Sequence, residues 1–323
     1  MSNAKERRKR ASDLVDAKPV YTTNLGAAYA ADARDLLRLL PSKSVKAIIT
    51  SPPYALHFKK AYGNPQQDAY LEWFLGFASE FRRVLRPNGS LVIEIGGAWI
   101  PGQPTRSIYH FELLVELVKR FRFHLAEEFF WFNRARMPSP AEWVNVQRIR
   151  VKDAVTPIWW LSPTPRPTAN NRRVLKPYSK EMNRLFLVGY NRGKRPSGHV
   201  AKRFDRNNGG AIPPNLIEVA HTSSTDKYQN FCREQGLTPH PARFPRQVPD
   251  FFVKFLTNRG DLVLDPFCGS NMTGYVAEKL GRRWLAFDRD PQYVRASVGR
   301  FLTDKDIAPT VTRNRPIPLS QAG

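Results

Sequence analysis

The chain alternates short apolar runs with amphipathic stretches. Ala27–Ala31 reads as a short strand ending at Asp32, and Ala33–Leu40, with Leu36, Leu37, Leu39 and Leu40, as a short helix. Val45–Thr50 (VKAIIT) is a buried-type strand. It runs straight into Ser51-Pro52-Pro53-Tyr54, where the proline pair stops the strand and stiffens the loop. Tyr70–Leu85 carries Trp73, Phe74, Phe77, Phe81, Val84 and Leu85 at helical spacing. Pro87-Asn88-Gly89 is a turn signal, and Ser90–Ile95 is the next strand, closed by Gly96-Gly97. Ile108–Phe121 is a second amphipathic helix, and His124–Asn133 and Ala154–Leu161 are strands.

The pattern then breaks. Ser162–Thr238 is rich in Pro, Asn, Gly and Arg and reads as a long irregular insertion, either functional or partly disordered. Regularity returns with a helix at Val248–Thr257, a strand at Leu262–Leu264, a helix at Tyr275–Leu280, a strand at Trp284–Phe287 and a helix at Tyr293–Leu302. Strands alternating with helices predict an α/β fold with a mostly parallel sheet covered on both faces.

Composition sharpens this. The 323 residues carry 51 Lys and Arg against 28 Asp and Glu, a net charge of +23. So large an excess repels itself unless something anionic is bound, and nucleic acid is the leading candidate. The excess is concentrated: the stretch from Arg134 to Arg206 holds 17 basic residues against the acids Glu142, Asp153, Glu181 and Asp205. Two cysteines, Cys232 and Cys268, exclude a disulfide framework and a four-thiolate zinc site. The six histidines show no metal-ligand spacing. No apolar run is long enough for a membrane helix, and the first residues, MSNAKERRKR, lack a signal peptide's apolar stretch. A cytoplasmic protein that binds no metal is expected.

Two segments carry candidate chemistry. Asp265-Pro266-Phe267-Cys268-Gly269-Ser270-Asn271-Met272-Thr273-Gly274 follows one strand and opens a helix, and Asp288 ends the next strand. Glycines there let backbone approach a ligand, and an acid in the position of Asp288 meets ribose hydroxyls in Rossmann-like folds. GxGxxG is absent, which disfavours a nicotinamide cofactor; Asp265 suits a cationic ammonium group. The bland alternative is a strand–turn–helix with a capping acid. The second segment, Ser51-Pro52-Pro53-Tyr54, also ends a buried strand, where open α/β sheets bind ligands.

Together these motifs resemble the amino-group DNA methyltransferases that use S-adenosyl-L-methionine. Their catalytic tetrapeptide is Asp, Asn or Ser, then Pro-Pro and an aromatic residue, with Ser typical of the N4-cytosine enzymes. Catalytic motif first, then insertion, then cofactor loop is the permuted order of the beta group. Further blocks, among them WFNRARMPSPAEWVN, RPSGH and HPARFP, extend the resemblance over roughly residues 28–303. It implies a Rossmann-like methyltransferase fold with permuted motif order plus an irregular basic target-recognition region. The divisions are a flexible basic tail (1–20), a catalytic half (21–162), a target-recognition region (163–239), a cofactor half (240–303) and a flexible tail (304–323).

The resemblance also assigns roles. Ser51 and the Pro52 carbonyl would accept the two amine hydrogens of a flipped cytosine; Pro53 stiffens the corner, Tyr54 stacks, and Glu94 stands where relatives carry an acid near the base. Asp265, Phe267, Gly269, Ser270, Asn271 and Asp288 would hold the cofactor with Phe244 and Pro245. Asp32 would approach the adenine amine or simply cap the helix at Ala33. Arg172, Arg173, Lys176, Arg195 and His199 would face double-stranded DNA. Implied, too, are a type II modification enzyme with a CAGCTG-like site, a monomer, and a place at the bacterial or archaeal nucleoid. N6-adenine methylation, an RNA substrate and a catalytically silent DNA-binding protein remain as alternatives.

Overall fold

Burial along the central strands sets the architecture. The computed structural model describes residues 10–56, 63, 65–188, 207–220, 226–304 and 306–312. In chain order these form β1 (Tyr21–Thr22), β2 (Gly26–Ala30), α1 (Ala33–Leu39), β3 (Val45–Thr50), α2 (Gln67–Val84), β4 (Leu85–Glu94), α3 (Tyr109–Lys119), β5 (His124–Phe132) and β6 (Val155–Ser162). There follow α4 (Lys180–Val188), β7 (Leu216–Glu218), α5 (Lys227–Glu234), α6 (Gln247–Leu256), β8 (Leu262–Asp265), α7 (Met272–Lys279), β9 (Arg283–Asp288), α8 (Pro291–Ser297), α9 (Gly299–Leu302) and β10 (Thr310–Val311).

One sheet runs β10-β1-β2-β9-β8-β3-β4-β6-β5-β7. Its centre, from β2 to β4, is parallel. Every residue of β3 is buried. Alternate side chains serve opposite faces, as the pleat requires. Ile48 packs in one cluster with Leu36, Phe74, Phe81 and Leu113 from α1, α2 and α3. Ala47 and Ile49 pack in the other with Phe252, Val276, Val294 and Phe301 from α6 to α9. Two helical layers therefore dehydrate the sheet from both sides, the arrangement that βαβ crossovers impose.

Several boundaries differ from the sequence reading. Pro87-Asn88-Gly89 is no free turn: it lies inside β4, opposite a register shift on β3 between Val45 and Ala47. A Cβ at Gly89 would meet the Arg86 and Lys46 carbonyls at 2.9 and 3.0 Å, so only glycine lets the bulge close. The helix expected over Tyr293–Leu302 is split into α8 and α9. The insertion is less irregular than its composition implies, since it contains α4, β7 and α5. Its β7 pairs in parallel with β5.

Nor are the assigned tails wholly loose. Ala11 and Val15 are buried against the first cluster, and Thr310 and Val311 pair with Thr22 and Tyr21. Short strands of this kind carry too little periodic signal to be read locally.

Gly26 illustrates how tightly the second cluster is filled. A Cβ there would fall 2.1 Å from the Trp284 indole, which is itself stacked on Phe301 at 5.2 Å. Gly26→Ala forces that ring out of place. We expect a loss of about 1–3 kcal/mol in unfolding free energy, read from the urea midpoint.

Candidate active site

The two motifs meet because β3 and β8 are neighbours. Ser51 follows the carboxyl end of β3 and Asp265 closes β8, so both stand at the same edge of the sheet. Thr50 Oγ1 donates to Asp265 Oδ1 at 2.7 Å, and the Phe267 amide donates to the same oxygen at 3.2 Å. Between and above these ends lies a cavity of about 350 Å³.

One part of it gathers the carboxylates of Asp265 and Asp288. Asp265 is 3% exposed, and burial pushes its carboxyl up to about 6 despite the hydrogen bond from Thr50. The Gly269 amide donates to Asp288 Oδ2 at 2.8 Å and the Asp290 amide to Oδ1 at 3.0 Å, which fixes Asp288 at the rim. Burial raises the Asp288 carboxyl as well. Gly269 adopts φ +48°, and a Cβ there would come within 3.0 Å of the His240 ring. The loop therefore hugs His240, and glycine is needed on both counts. Phe244, Phe267, Trp73 and Phe77 supply apolar wall. A buried carboxylate, a rim carboxylate and aromatic walls match the ammonium, ribose and ring portions of an adenosyl amino acid.

The other part centres on Glu94, which is 2% exposed at the end of β4. Ser51 Oγ donates to Glu94 Oε2 at 2.5 Å, and the Tyr54 hydroxyl donates to Oε1. Burial raises the Glu94 carboxyl, while those two donors and the Arg136 guanidinium pull the other way. Burial and the Glu94 charge push the Tyr54 phenol well up. The Tyr54 ring lies over Gly96, where a Cβ would meet it at 2.6 Å. Trp131, Asn133, Arg136 and Thr156 complete this wall, with Arg136 Nη1 donating to Thr156 Oγ1 at 3.2 Å.

Most residues anticipated from the sequence line this one cavity: Asp32, Ser51, Pro52, Pro53, Tyr54, Glu94, Phe244, Asp265, Phe267, Gly269, Ser270 and Asp288. Of the two roles weighed for Asp32, the cap is present, through the Arg34 amide at 2.8 Å, and the same residue also stands at the cavity. The Arg34 guanidinium, 2.6 Å away, holds its carboxyl below the usual range. Ser270 takes two bonds from the buried Arg300, at 2.7 Å to its carbonyl and 2.9 Å to its hydroxyl.

Three placements differ. Asn271 does not line the cavity: it is fully buried, caps α7 through the Gly274 amide at 3.0 Å and donates to the Tyr21 hydroxyl at 2.8 Å. At φ +52° it performs a turn that Gly or Asn can make, so it shapes the loop from behind. Pro245 is buried and lines a second cavity beside Arg246, not this one. Arg173 is clamped by Thr257 O and Asn258 Oδ1, both at 2.6 Å, ahead of β8. It and Arg172 thus sit at the amino end of the parallel strands, the opposite end from the cavity. Lys176 is exposed and bridges to Ala211; Arg195 and His199 lie outside the described residues.

The sequence reading missed Arg136, Asn133, Thr156, Trp131 and His240. His240 and the WFNRAR block belonged to recognised segments, but nothing local says which of their side chains turn inward. Among the described residues, no group of three or more His, Cys, Asp or Glu could hold a metal ion, and no helix is long and apolar enough to cross a membrane.

Comparison with known proteins agrees with this geometry. The DNA methylase family profile matches residues 45–299. The type II methyltransferase M.PvuII of Proteus hauseri is 47% identical over 289 residues, covering 88% of this chain and 86% of that protein. M.HpaI of Haemophilus parainfluenzae is 26% identical, over 82% of this chain and 70% of that protein. The solved PvuII DNA methyltransferase (cytosine-N4-specific) superposes with a TM-score of 0.74 at 41% identity, covering 91% of this chain and 92% of that one. A putative DNA modification methylase from Thermus thermophilus, complexed with S-adenosyl-L-methionine, shares the fold at TM-score 0.54 and 20% identity, covering 85% and 93%. With the family match running from β3 into α9 and 47% of 289 aligned residues shared with a type II methyltransferase, the chain belongs to the N6/N4 DNA methylase family.

Proposed function

We propose that the protein transfers a methyl group from S-adenosyl-L-methionine to N4 of a flipped cytosine in duplex DNA, as the modification enzyme of a type II restriction–modification system. The resemblance makes a CAGCTG-like site the first to test. The observation that carries this reading is the Ser51–Glu94–Tyr54 cluster opening into the same cavity as Asp265 and Asp288.

The exocyclic amine is a poor nucleophile because its lone pair is delocalised into the ring. Ser51 spends its proton on Glu94, so its oxygen lone pairs are left to accept from the amine. The Pro52 carbonyl can accept the second amine hydrogen. Two such bonds favour a tetrahedral nitrogen with its lone pair aimed away from both acceptors. S-adenosyl-L-methionine, when bound, supplies an electrophilic sulfonium methyl. Asp265 holds its ammonium group, and Asp288 its ribose hydroxyls. Holding both reactants at attack distance contributes up to roughly 7–11 kcal/mol of the barrier reduction.

After transfer the nitrogen is cationic and must lose a proton. Ser51 lies between that nitrogen and Glu94, and can pass a proton along. Glu94, whose proton affinity burial raises, is the terminal acceptor. Tyr54 holds the second carboxylate oxygen and offers the target base an aromatic face. A paired base cannot reach this depth, so flipping is required, at a cost of a few kcal/mol. The proposed acting unit is a monomer, working on genomic DNA in the cytoplasm.

Incubation of the protein with duplex DNA and labelled cofactor, followed by digestion to nucleosides and mass spectrometry, tests the reading. N4-methylcytosine is expected. N6-methyladenine would transfer the mechanism to the other amine, and an absence of label would overturn it.

Glu94→Gln keeps the size of the side chain but removes the proton acceptor. Single-turnover rate at saturating cofactor should fall about 10²–10⁴-fold while cofactor affinity stays within about twofold, and the acidic limb of the pH–rate profile measured at that saturation should vanish.

Cofactor binding should depend on the Asp265 carboxylate. Its pKa of about 6 in the free protein means that the charged form is lost as pH falls through 6. Calorimetry should give a Kd that is flat above that pH and rises about tenfold per unit below it. Asp265→Asn should bind weakly at all pH values. The same shift makes the folded chain hold a proton, between pH of about 4 and 6, that the unfolded chain has released. Wild-type stability should fall as pH rises through that window, and the Asn variant should lose Asp265's share of the fall, with the share of Glu94 and Asp288 remaining.

A further inference from the structure

The chain joining β5 to β6, residues 133–154, stands at the mouth of the cavity. Asn133 and Arg136 at its start and Thr156 just beyond its end line the wall. A connection this long is uncommon unless it has work to do. It is firmly braced. The Ile149 and Arg150 amides both donate to the Trp143 carbonyl, at 3.0 and 3.2 Å. Lys152 Nζ donates to the Arg134 carbonyl at 2.9 Å, and Arg106 pairs with Asp153 at 2.8 Å.

Yet what this braced loop presents is apolar and cationic. Met137 is 76% exposed, Val146 68% and Val151 87%. Around them stand Arg134, Arg148, Arg150 and Lys152, all exposed; between Arg134 and Lys152 the acid is Glu142 against five basic residues. Water alone gives no reason to hold large apolar side chains outward on an ordered loop. Cations flanking apolar side chains suit one surface well: phosphate backbones on either side of an opened base stack. Arg172 and Arg173 cannot serve that surface, since Arg173 is fastened at the far end of the sheet.

We propose that residues 133–154 form a DNA-gripping arm, in which Arg134 and Arg148 contact phosphates beside the target and Met137 fills the gap that the flipped base leaves. The proposal rests on the base-flipping reading above. Met137 directly follows Arg136, which lines the cavity, and it is a large apolar side chain held 76% exposed. Its unbranched thioether adapts to an irregular gap. Filling that gap favours the flipped state over the paired one.

The test uses the full chain, a duplex carrying CAGCTG, and the same duplex with the target cytosine in a mismatch. Met137→Gly should weaken binding to the paired duplex about tenfold, and the mismatch, which is already partly open, should restore most of the loss. The double variant Arg134→Ala/Arg148→Ala should lower the slope of log affinity against log salt by about 1.8. Calorimetric cofactor binding checks that both variants fold. An equal loss on paired and mismatched duplexes overturns the wedge, and an unchanged salt slope overturns the phosphate contacts. A dimer in sedimentation velocity that Val151→Arg dissolves would make this face a contact between two copies instead. Wild-type protein that methylates the duplex while both variants bind as it does defeats the arm alone. Wild-type protein that transfers no methyl group to DNA defeats the functional reading on which the arm depends.

Discussion

The structure turns on the side-by-side pairing of β3 and β8, fastened at its functional end by the hydrogen bond from Thr50 to Asp265. These residues are 215 positions apart in the chain. The pairing is parallel, so both strands deliver their terminal residues to the same edge of the sheet. Neither motif is a site on its own: one offers acceptors and the other an anionic pocket. Apolar cover on both faces keeps these strands dry and holds the junction in register. Reactant alignment is thereby inherited from the sheet rather than from mobile loops.

The cavity sets buried carboxylates among arginines, in a chain that is cationic overall. Asp265, Asp288 and Glu94 gather around one cavity in a protein of net charge +23. Burial raises all three carboxyls, and Asp288 adds to the rise at Asp265. A cationic small molecule relieves the crowding of these three carboxyls.

Much of this was legible in the sequence because its signals are local. The buried run VKAIIT lies within its predicted bounds, and the corner after it and the loop after β8 fall at strand ends as the motifs require. What failed to show depends on distant partners. Whether Asn271 faces a ligand or a helix amide is decided by Tyr21, 250 residues away. Arg173 looks like any surface arginine until Thr257 and Asn258 claim it. The strands β1 and β10 have two residues each, too few to carry a period, and exist because they pair with each other. Glu94 could be a solvent-facing strand end by pattern; only the arrival of Ser51 and Tyr54 from β3 makes it a buried acceptor.

That β1–β10 contact has an evolutionary implication. The outermost strands of the described chain are antiparallel neighbours, so a short linker could splice them together without disturbing the central sheet. Opening the resulting ring at a different surface loop would leave every neighbour relation intact and reverse which motif is translated first. The linear order of the two motifs is then free to vary, while the chemistry answers only to which strands lie side by side.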